Sequence, residues 1–365
     1  MTACMYLSPP WDTDDLNGAV LPVLLADTMV TLEGFEQEEP LIPIQGLGPK
    51  TAYSTKLTRK INIVKGCGVA LSGKGAPIRD TIWHIKENID QWMTLDRPMR
   101  PLSGYLSEYN RQKGALVVEG TAACQRDDMV YFAAPNRNRK TLRHFGLTIS
   151  HGSGADELFA LVADFDKILD HWDLKEIDAY GKVNALVNNI NAIKLIRELR
   201  SGAKTGWGGF VEWAFMVPGE QNWCFGPSVL HVFLPNEAYG RGNDPALREA
   251  RFLAYDPSLC GGSMITASSG DLTFFAIPPI LGLFELEAGA FQQWIGWKPE
   301  FIVVTIINPV SHPQALFSKT LNPPEREFVH FEITENSTHF ATNIPDNWVQ
   351  SFKRIDPSDL RETNT

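Results

Sequence analysis

Apolar positions recur along this chain with two different periods. Ile78, Ile82, Ile85, Ile89 and Trp92 are spaced by four, three, four and three residues. That spacing makes one apolar stripe on a helix, and Pro77 suits its first turn. A second helix, over about Ala155 to Trp172, buries Leu158, Leu161, Val162, Phe165 and Ile168. A third, from about Ala179 to Leu199, presents Val183, Leu186, Val187, Ile190, Ile193 and Ile196, with Ser201-Gly202 as its stop.

Shorter apolar runs predict strands. Ala3 to Leu7 and Val20 to Thr31 flank a segment, Pro9 to Ala19, that is rich in turn residues, and together they read as a hairpin. A polar connection from Gly34 to about Thr58 leads to the strand Lys60 to Val64, a turn at Lys65-Gly66 and a buried strand at Val69-Ala70-Leu71. Ala115 to Glu119, Met129 to Ala134 and His144 to Ser150 lie between the first two helices. Gly209 to Val217 and Val229 to Leu234 follow the third. Strands and helices therefore come in clusters, which predicts a layered α+β domain rather than a βαβ-wound one.

The character changes near residue 235. Asn236 to Ala250 is polar, and the strand-like runs Leu272 to Ile277, Phe301 to Ile307 and Phe328 to Thr334 follow. The predicted organisation is one domain over 1–235 and a β-rich extension or second domain over 236–365, with a polar tail from Asp356.

Composition narrows the function classes. A chain of 365 residues admits one large domain or two, and 44% hydrophobic residues suffice for a core. Lys and Arg number 33 against 43 Asp and Glu, a net charge of −10. Neutralising phosphates needs the opposite balance, so nucleic acid is not an expected partner. The five cysteines (Cys4, Cys67, Cys124, Cys224, Cys260) form no CxxC, which suggests neither a disulfide framework nor a thiolate metal site. No apolar run reaches the ~20 residues of a membrane helix, and the opening residues lack the pattern of a signal peptide. The expectation is a soluble protein of the reducing cytoplasm that acts without membrane, metal or cofactor. The Asn336-Ser337-Thr338 sequon is then a chance match.

Four local signals carry chemistry. Thr2 follows Met1, which is normally removed before a residue as small as threonine; one residue would then hold both a hydroxyl nucleophile and an α-amine base. Asp27 ends the apolar strand Val23-Leu24-Leu25-Ala26. Lys60 opens a strand. Gly152-Ser153-Gly154 ends a strand and starts a helix.

With these residues the chain resembles the proteasome-type N-terminal nucleophile (Ntn) hydrolases, the proteasome β subunits and their bacterial relatives. The matching features are the opening Thr strand, the strand ending in Ala26-Asp27, and Lys60-Ile61 followed by Val69 to Gly73 and a helix. The Gly-Ser-Gly turn before two helices and Gly208-Gly209 entering a strand match too. The likeness covers about residues 2 to 235. It implies a four-layer αββα sandwich with a β-rich C-terminal extension, a peptide or amide substrate, and homo-oligomeric assembly. It also implies roles. Thr2 Oγ attacks the carbonyl, its amine shuttles the proton, and Lys60 lowers the nucleophile's effective pKa. Asp27 orients Lys60, Ser153 bonds near the Thr2 amine, and a backbone N–H of the Gly73-Lys74-Gly75 turn serves the oxyanion. The chain departs from the family in two places: the Pro9 to Ala19 loop is longer than the family's tight hairpin, and the approach to the paired glycines differs. An Asp and a Ser normally precede the paired glycines, whereas Gly202 to Gly209 here contains no carboxylate. The alternative reading is a catalytically inactive proteasome-like scaffold used for self-assembly or partner binding.

Other candidates are weaker. Thr28 would become a nucleophile if the chain were cut after Asp27, at the loss of the best-matching strand end. Gly68 to Lys74 fits GxxxxGK, but Gly75 stands where a phosphate loop needs Ser or Thr, and Val69-Ala70-Leu71 reads as strand. The eight histidines are dispersed, and Trp207 reads as a packing anchor.

Overall fold

The computed structural model describes residues 2–11, 19–28, 42–43, 51–54, 58–127, 129–135, 138–170, 177–201, 210–217, 219–220, 222–235, 251–259, 263–268, 271–277, 292–307, 315–321, 323–334, 338–343 and 345. Gly202 to Gly209, Asn236 to Ala250, the tail from Asp356 and most of the two early connections fall outside the described residues.

In chain order the strands are β1 (Cys4–Ser8), β2 (Val23–Asp27), β3 (Ile42–Pro43), β4 (Thr51–Ser54), β5 (Ile61–Val64), β6 (Cys67–Gly73), β7 (Val118–Arg126), β8 (Met129–Ala133), β9 (Arg139–Leu142) and β10 (Gly146–His151). They continue with β11 (Val211–Met216), β12 (Trp223–Phe225), β13 (Val229–Pro235), β14 (Arg251–Asp256), β15 (Ser263–Ser268), β16 (Asp271–Ala276), β17 (Phe301–Ile307), β18 (Ala315–Thr320), β19 (Val329–Ile333) and β20 (Thr338–Thr342). The helices are α1 (Gly75–Trp92), α2 (Arg100–Lys113), α3 (Ala155–Leu169) and α4 (Ala179–Ser201), with a 3-10 turn at Pro323–Phe328.

Each helix forms for a local reason. The stripe Ile78, Ile82, Ile85, Ile89 and Trp92 is the buried face of α1. Helix α3 buries Leu158, Val162, Phe165 and Leu169, and Asp156 and Glu157 in its first turn complement the helix dipole. Gly114 closes α2 in the left-handed conformation, where glycine carries no Cβ penalty. Lys65 and Gly66, both with positive φ, make the two-residue turn joining β5 to β6.

The described strands form four sheets. One has six strands in the order β12-β11-β2-β1-β10-β9, another has four in the order β5-β6-β7-β8, and a third is the pair β19-β20. The largest has eight, in the order β18-β17-β13-β14-β15-β16-β4-β3. Helices α3 and α4 cover the six-stranded sheet through Leu158, Val162, Leu186 and Ile190, which pack on Met5 and Leu25. Helices α1 and α2 cover the four-stranded sheet through Ile78, Ile82 and Leu102. Cys4, Tyr6, Leu24, Ala70, Ala123 and Ile149 meet between those two sheets. A separate core of Leu230, Val232, Phe252, Trp294 and Trp297 lies on the eight-stranded sheet. Helix α4 also touches β13, β17 and β18, so its polar residues Asn184, Asn188, Asn191 and Lys194 are buried as well.

This arrangement overturns the expected α+β four-layer αββα Ntn sandwich with a β-rich C-terminal extension. The described residues form four antiparallel or mixed sheets, and the largest recruits β3, β4 and β13 from within residues 1–235. Strand β13 runs parallel to β17, with Val229 opposite Phe301, and antiparallel to β14. The anticipated domain boundary thus falls at the end of a strand whose two neighbours lie beyond it. The reason is physical. An alternating pattern marks a strand and its buried face but not its partner, which here comes from about seventy residues away.

Candidate functional site

Strand direction gathers the site. β1 runs antiparallel to β2 and to β10, with Cys4 opposite both Ala26 and His151. The beginning of β1 therefore lies beside the ends of both neighbours. Thr2 precedes β1, Asp27 ends β2, and Gly152-Ser153-Gly154 follows β10.

Backbone bonds fix this junction. The Thr2 N–H donates to Ser153 Oγ at 3.0 Å. The Thr2 carbonyl accepts from the Gly154 N–H at 3.0 Å. The Ala3 N–H donates to Asp27 Oδ1 at 2.8 Å, and the Asp27 N–H returns to the Ala3 carbonyl at 3.0 Å. Gly152 has φ +91°, and a Cβ there would stand 2.2 Å from the Thr2 carbonyl oxygen, so only glycine fits.

The same Asp27 Oδ1 accepts from Lys60 Nζ at 2.7 Å, and both side chains are buried. One carboxylate oxygen thus holds the backbone next to Thr2 and a buried ammonium together. Such a pair keeps its geometry because either partner alone would be an uncompensated buried charge.

Thr2, Ser72, Gly73, Gly152 and Ser153 line a cavity of about 510 Å³. Its other walls include Leu116 and Val117, and the carboxylates of Glu119 and Asp156. Gly73 has φ +136°, and a Cβ there would meet the Val117 carbonyl at 2.2 Å. The Lys74 N–H donates to that carbonyl at 2.9 Å, so the Gly73-Lys74-Gly75 turn offers an oxyanion the N–H of Gly73 or Gly75 rather than that of Lys74. Ser72 Oγ and His151 Nδ1 lie 2.9 Å apart behind the cavity. Burial pushes the Cys4 thiol far above its ordinary range, against the pull of Lys60, which leaves it a poor nucleophile.

A second buried ion pair adjoins the first. Arg59 Nε lies 3.0 Å from Glu212 Oε1, and the guanidinium sits 4.1 Å from the centre of the Phe225 ring. Burial raises the Glu212 carboxyl, against the opposing pull of Arg59 and, more weakly, Lys60.

Thr2, Asp27, Lys60 and Ser153 are therefore brought to one place, with Gly73 on the cavity wall. The weaker candidates lie elsewhere or are engaged. Thr28 Oγ1 donates to the Phe210 carbonyl at 2.9 Å and accepts the Phe210 N–H at 3.0 Å, which ties it into the backbone. Gly68 to Gly73 of the GxxxxGK segment lie in strand β6, paired with β7 throughout and with β5 as far as Ala70, rather than open for phosphate. His144 is half-buried, with Nε2 3.0 Å from Asp170 Oδ1. Trp207 is outside the described residues. Among the described residues no group of three or more His, Cys, Asp or Glu side chains is placed to hold a metal ion. No described helix is long and apolar enough to cross a membrane.

Sequence reasoning missed Arg59, Ser72, Glu119, His151 and Glu212. Glu212 carried a visible signal, because a charged residue inside Val211–Met216, otherwise wholly apolar, calls for a buried partner. No protein-family model matches the chain, and no curated protein matches it.

Proposed function

We propose that the protein is an amide or peptide bond hydrolase of the N-terminal threonine type, with Thr2 as nucleophile once the Met1–Thr2 bond is cut. The observation that carries this reading is the junction itself. The Thr2 nitrogen is held by Ser153, and the neighbouring Asp27 carboxylate holds Lys60, at the edge of a cavity large enough for a side chain.

In this reading the freed α-amine, directly or through one water, takes the Thr2 hydroxyl proton as Oγ attacks the substrate carbonyl. The buried Lys60 ammonium favours the deprotonated forms of both groups. Charge moves onto the carbonyl oxygen and is met by a backbone N–H of Gly73 or Gly75. The tetrahedral centre collapses, the leaving amine takes the proton, and an ester on Thr2 remains. Water then attacks that ester, gives its proton to the amine, and frees the acid and Thr2. No cofactor enters these steps. The reading places the enzyme in the cytoplasm, as a homo-oligomer acting on a peptide or amide substrate.

Thr2→Ala tests it, since alanine also permits removal of Met1. Turnover of fluorogenic peptide amides is expected to fall by about a thousandfold or more, while Thr2→Ser keeps a measurable share. Undiminished turnover in Thr2→Ala would overturn the reading. No turnover and no labelling of the parent protein would favour a scaffold role.

A further inference from the structure

We infer that Arg59 is a positioning residue: by engaging Glu212 it reserves the Lys60 ammonium for Asp27, and the eight-stranded sheet holds it in that task. The inference rests on the hydrolase reading above and gives the β-rich part of the chain a place in the same site.

Four charged side chains are buried at this junction, with Arg59 at 8% and Lys60 at 4% exposure, and Asp27 and Glu212 at 0%. The two acids come from paired strands, Val211 lying opposite Asp27 and Glu212 opposite Ala26. Lys60 follows Arg59 in the chain, and its ammonium acts weakly on the Glu212 carboxylate as well; the Tyr255 hydroxyl also faces Glu212 and Arg59, and the Cys4 thiol faces Lys60 and Asp27. A buried anion without a partner takes the nearest cation or a proton. Without Arg59, Glu212 would compete with Asp27 for the single ammonium on which the reading depends.

The guanidinium is built into its place. Nε donates to Glu212 Oε1 at 3.0 Å and lies 3.5 Å from Oε2, one face of the group covers Phe225, and Nη2 donates to the Pro257 carbonyl at 3.1 Å. Pro257 follows β14, in a turn fixed by Asp256. That residue's Oδ1 accepts the Ser258 N–H at 2.8 Å and the Ser258 hydroxyl at 2.6 Å, and its Oδ2 accepts Trp297 Nε1 at 2.7 Å. Phe210 stacks on Tyr255 at 4.1 Å and binds Thr28, next to Asp27, at both its N–H and its carbonyl. The eight-stranded sheet thus grips the ends of β2 and β11 by two routes. Only a planar fork of donors can face the carboxylate, the carbonyl and the ring at once; a lysine would keep the charge and lose the fork.

The test compares Arg59→Met with Arg59→Met/Glu212→Gln in the full-length protein. The readout is the rate at which a peptide β-lactone acylates Thr2, followed by intact mass across pH. In the single variant the Glu212 charge, left with the Tyr255 hydroxyl and Lys60 to face it, favours protonated amines. Acylation at neutral pH should therefore fall about tenfold, and the acid limb should move up by about one unit. Removing the competing charge in the double variant should return the limb to its parental position, which loss of packing alone would not do. An unmoved limb in the single variant, or no recovery in the double, overturns the inference. Should Arg59→Met fail to fold, Arg59→Lys decides. It keeps the charge, so its limb should stay at the parental pH while its rate falls by a few-fold, and a displaced limb contradicts the proposal. If Thr2 in the parent protein is not acylated at all, the hydrolase reading itself fails and the inference falls with it. If Thr2 reacts and the Arg59 variants behave like the parent, the inference alone fails.

Discussion

At the shared ends of β2 and β11, four charged side chains are buried and each faces an opposite charge. On β13, His231 is buried just as completely, and among the described residues neither of its ring nitrogens has a hydrogen-bond partner. The rings of Phe210 and Phe233 lie 6.0 and 6.1 Å from it. Burial lowers its pKa to about 3, so the ring is neutral at physiological pH. Both regions solve the same problem, a polar group removed from water. One does so with counter-charge and precise geometry; the other gives up the charge. Charge that a protein keeps inside, at the cost of desolvating two partners, is the better pointer to chemistry.

Three substitutions test this contrast. The largest effect is expected at Asp27. Asp27→Ala leaves the Lys60 ammonium buried without its carboxylate, and breaking such a pair costs about 3–5 kcal/mol, measurable by denaturant unfolding. The loss should be accompanied by loss of Thr2 acylation. A change below 1 kcal/mol would show that the pair is not held as described. Next comes Gly152→Ala, which places a methyl group against the Thr2 carbonyl at a positive φ. A cost of about 3 kcal/mol is expected, with acylation slowed beyond what the lost stability explains. Equal activity in the folded fraction would show that the turn does not set the position of Thr2.

The smallest effect belongs to His231. In the unfolded chain its pKa is near 6.5 and in the fold about 3. The unfolded state therefore binds the extra proton as pH falls below 6.5, and stability is lost on the acid side and complete above it. Between pH 6.5 and 5 this amounts to about 2 kcal/mol. His231→Phe should flatten the stability profile in that window. An unchanged acid slope would mean that His231 is protonated in the fold and has a partner.

Much of the framework was legible because one face of each element meets a core. The isoleucine stripe of α1 is the example. Helix α2 was passed over because its stripe, Leu102, Leu106 and Tyr109, is short and only Leu102 is fully buried. Most of β7 was missed because Gly120 to Arg126 is built of small and polar residues, buried by neighbours on both faces rather than by their own bulk. Sheet membership was out of reach for a different reason, as the pairing of β13 with β17 shows. In the site, Thr2, Asp27, Lys60 and Ser153 could be read as strand ends and turn residues. Arg59 and Glu212, 153 residues apart, announced a need for partners but not each other.

The central claim is that Thr2 is an N-terminal nucleophile. Intact-mass spectrometry of the purified protein before and after exposure to a peptide β-lactone, followed by peptide mapping, tests it most directly. The account predicts a chain lacking Met1 that gains one acyl group on Thr2, and no gain in Thr2→Ala. A chain that keeps Met1 and takes up no label, or a label carried by another residue, would contradict it.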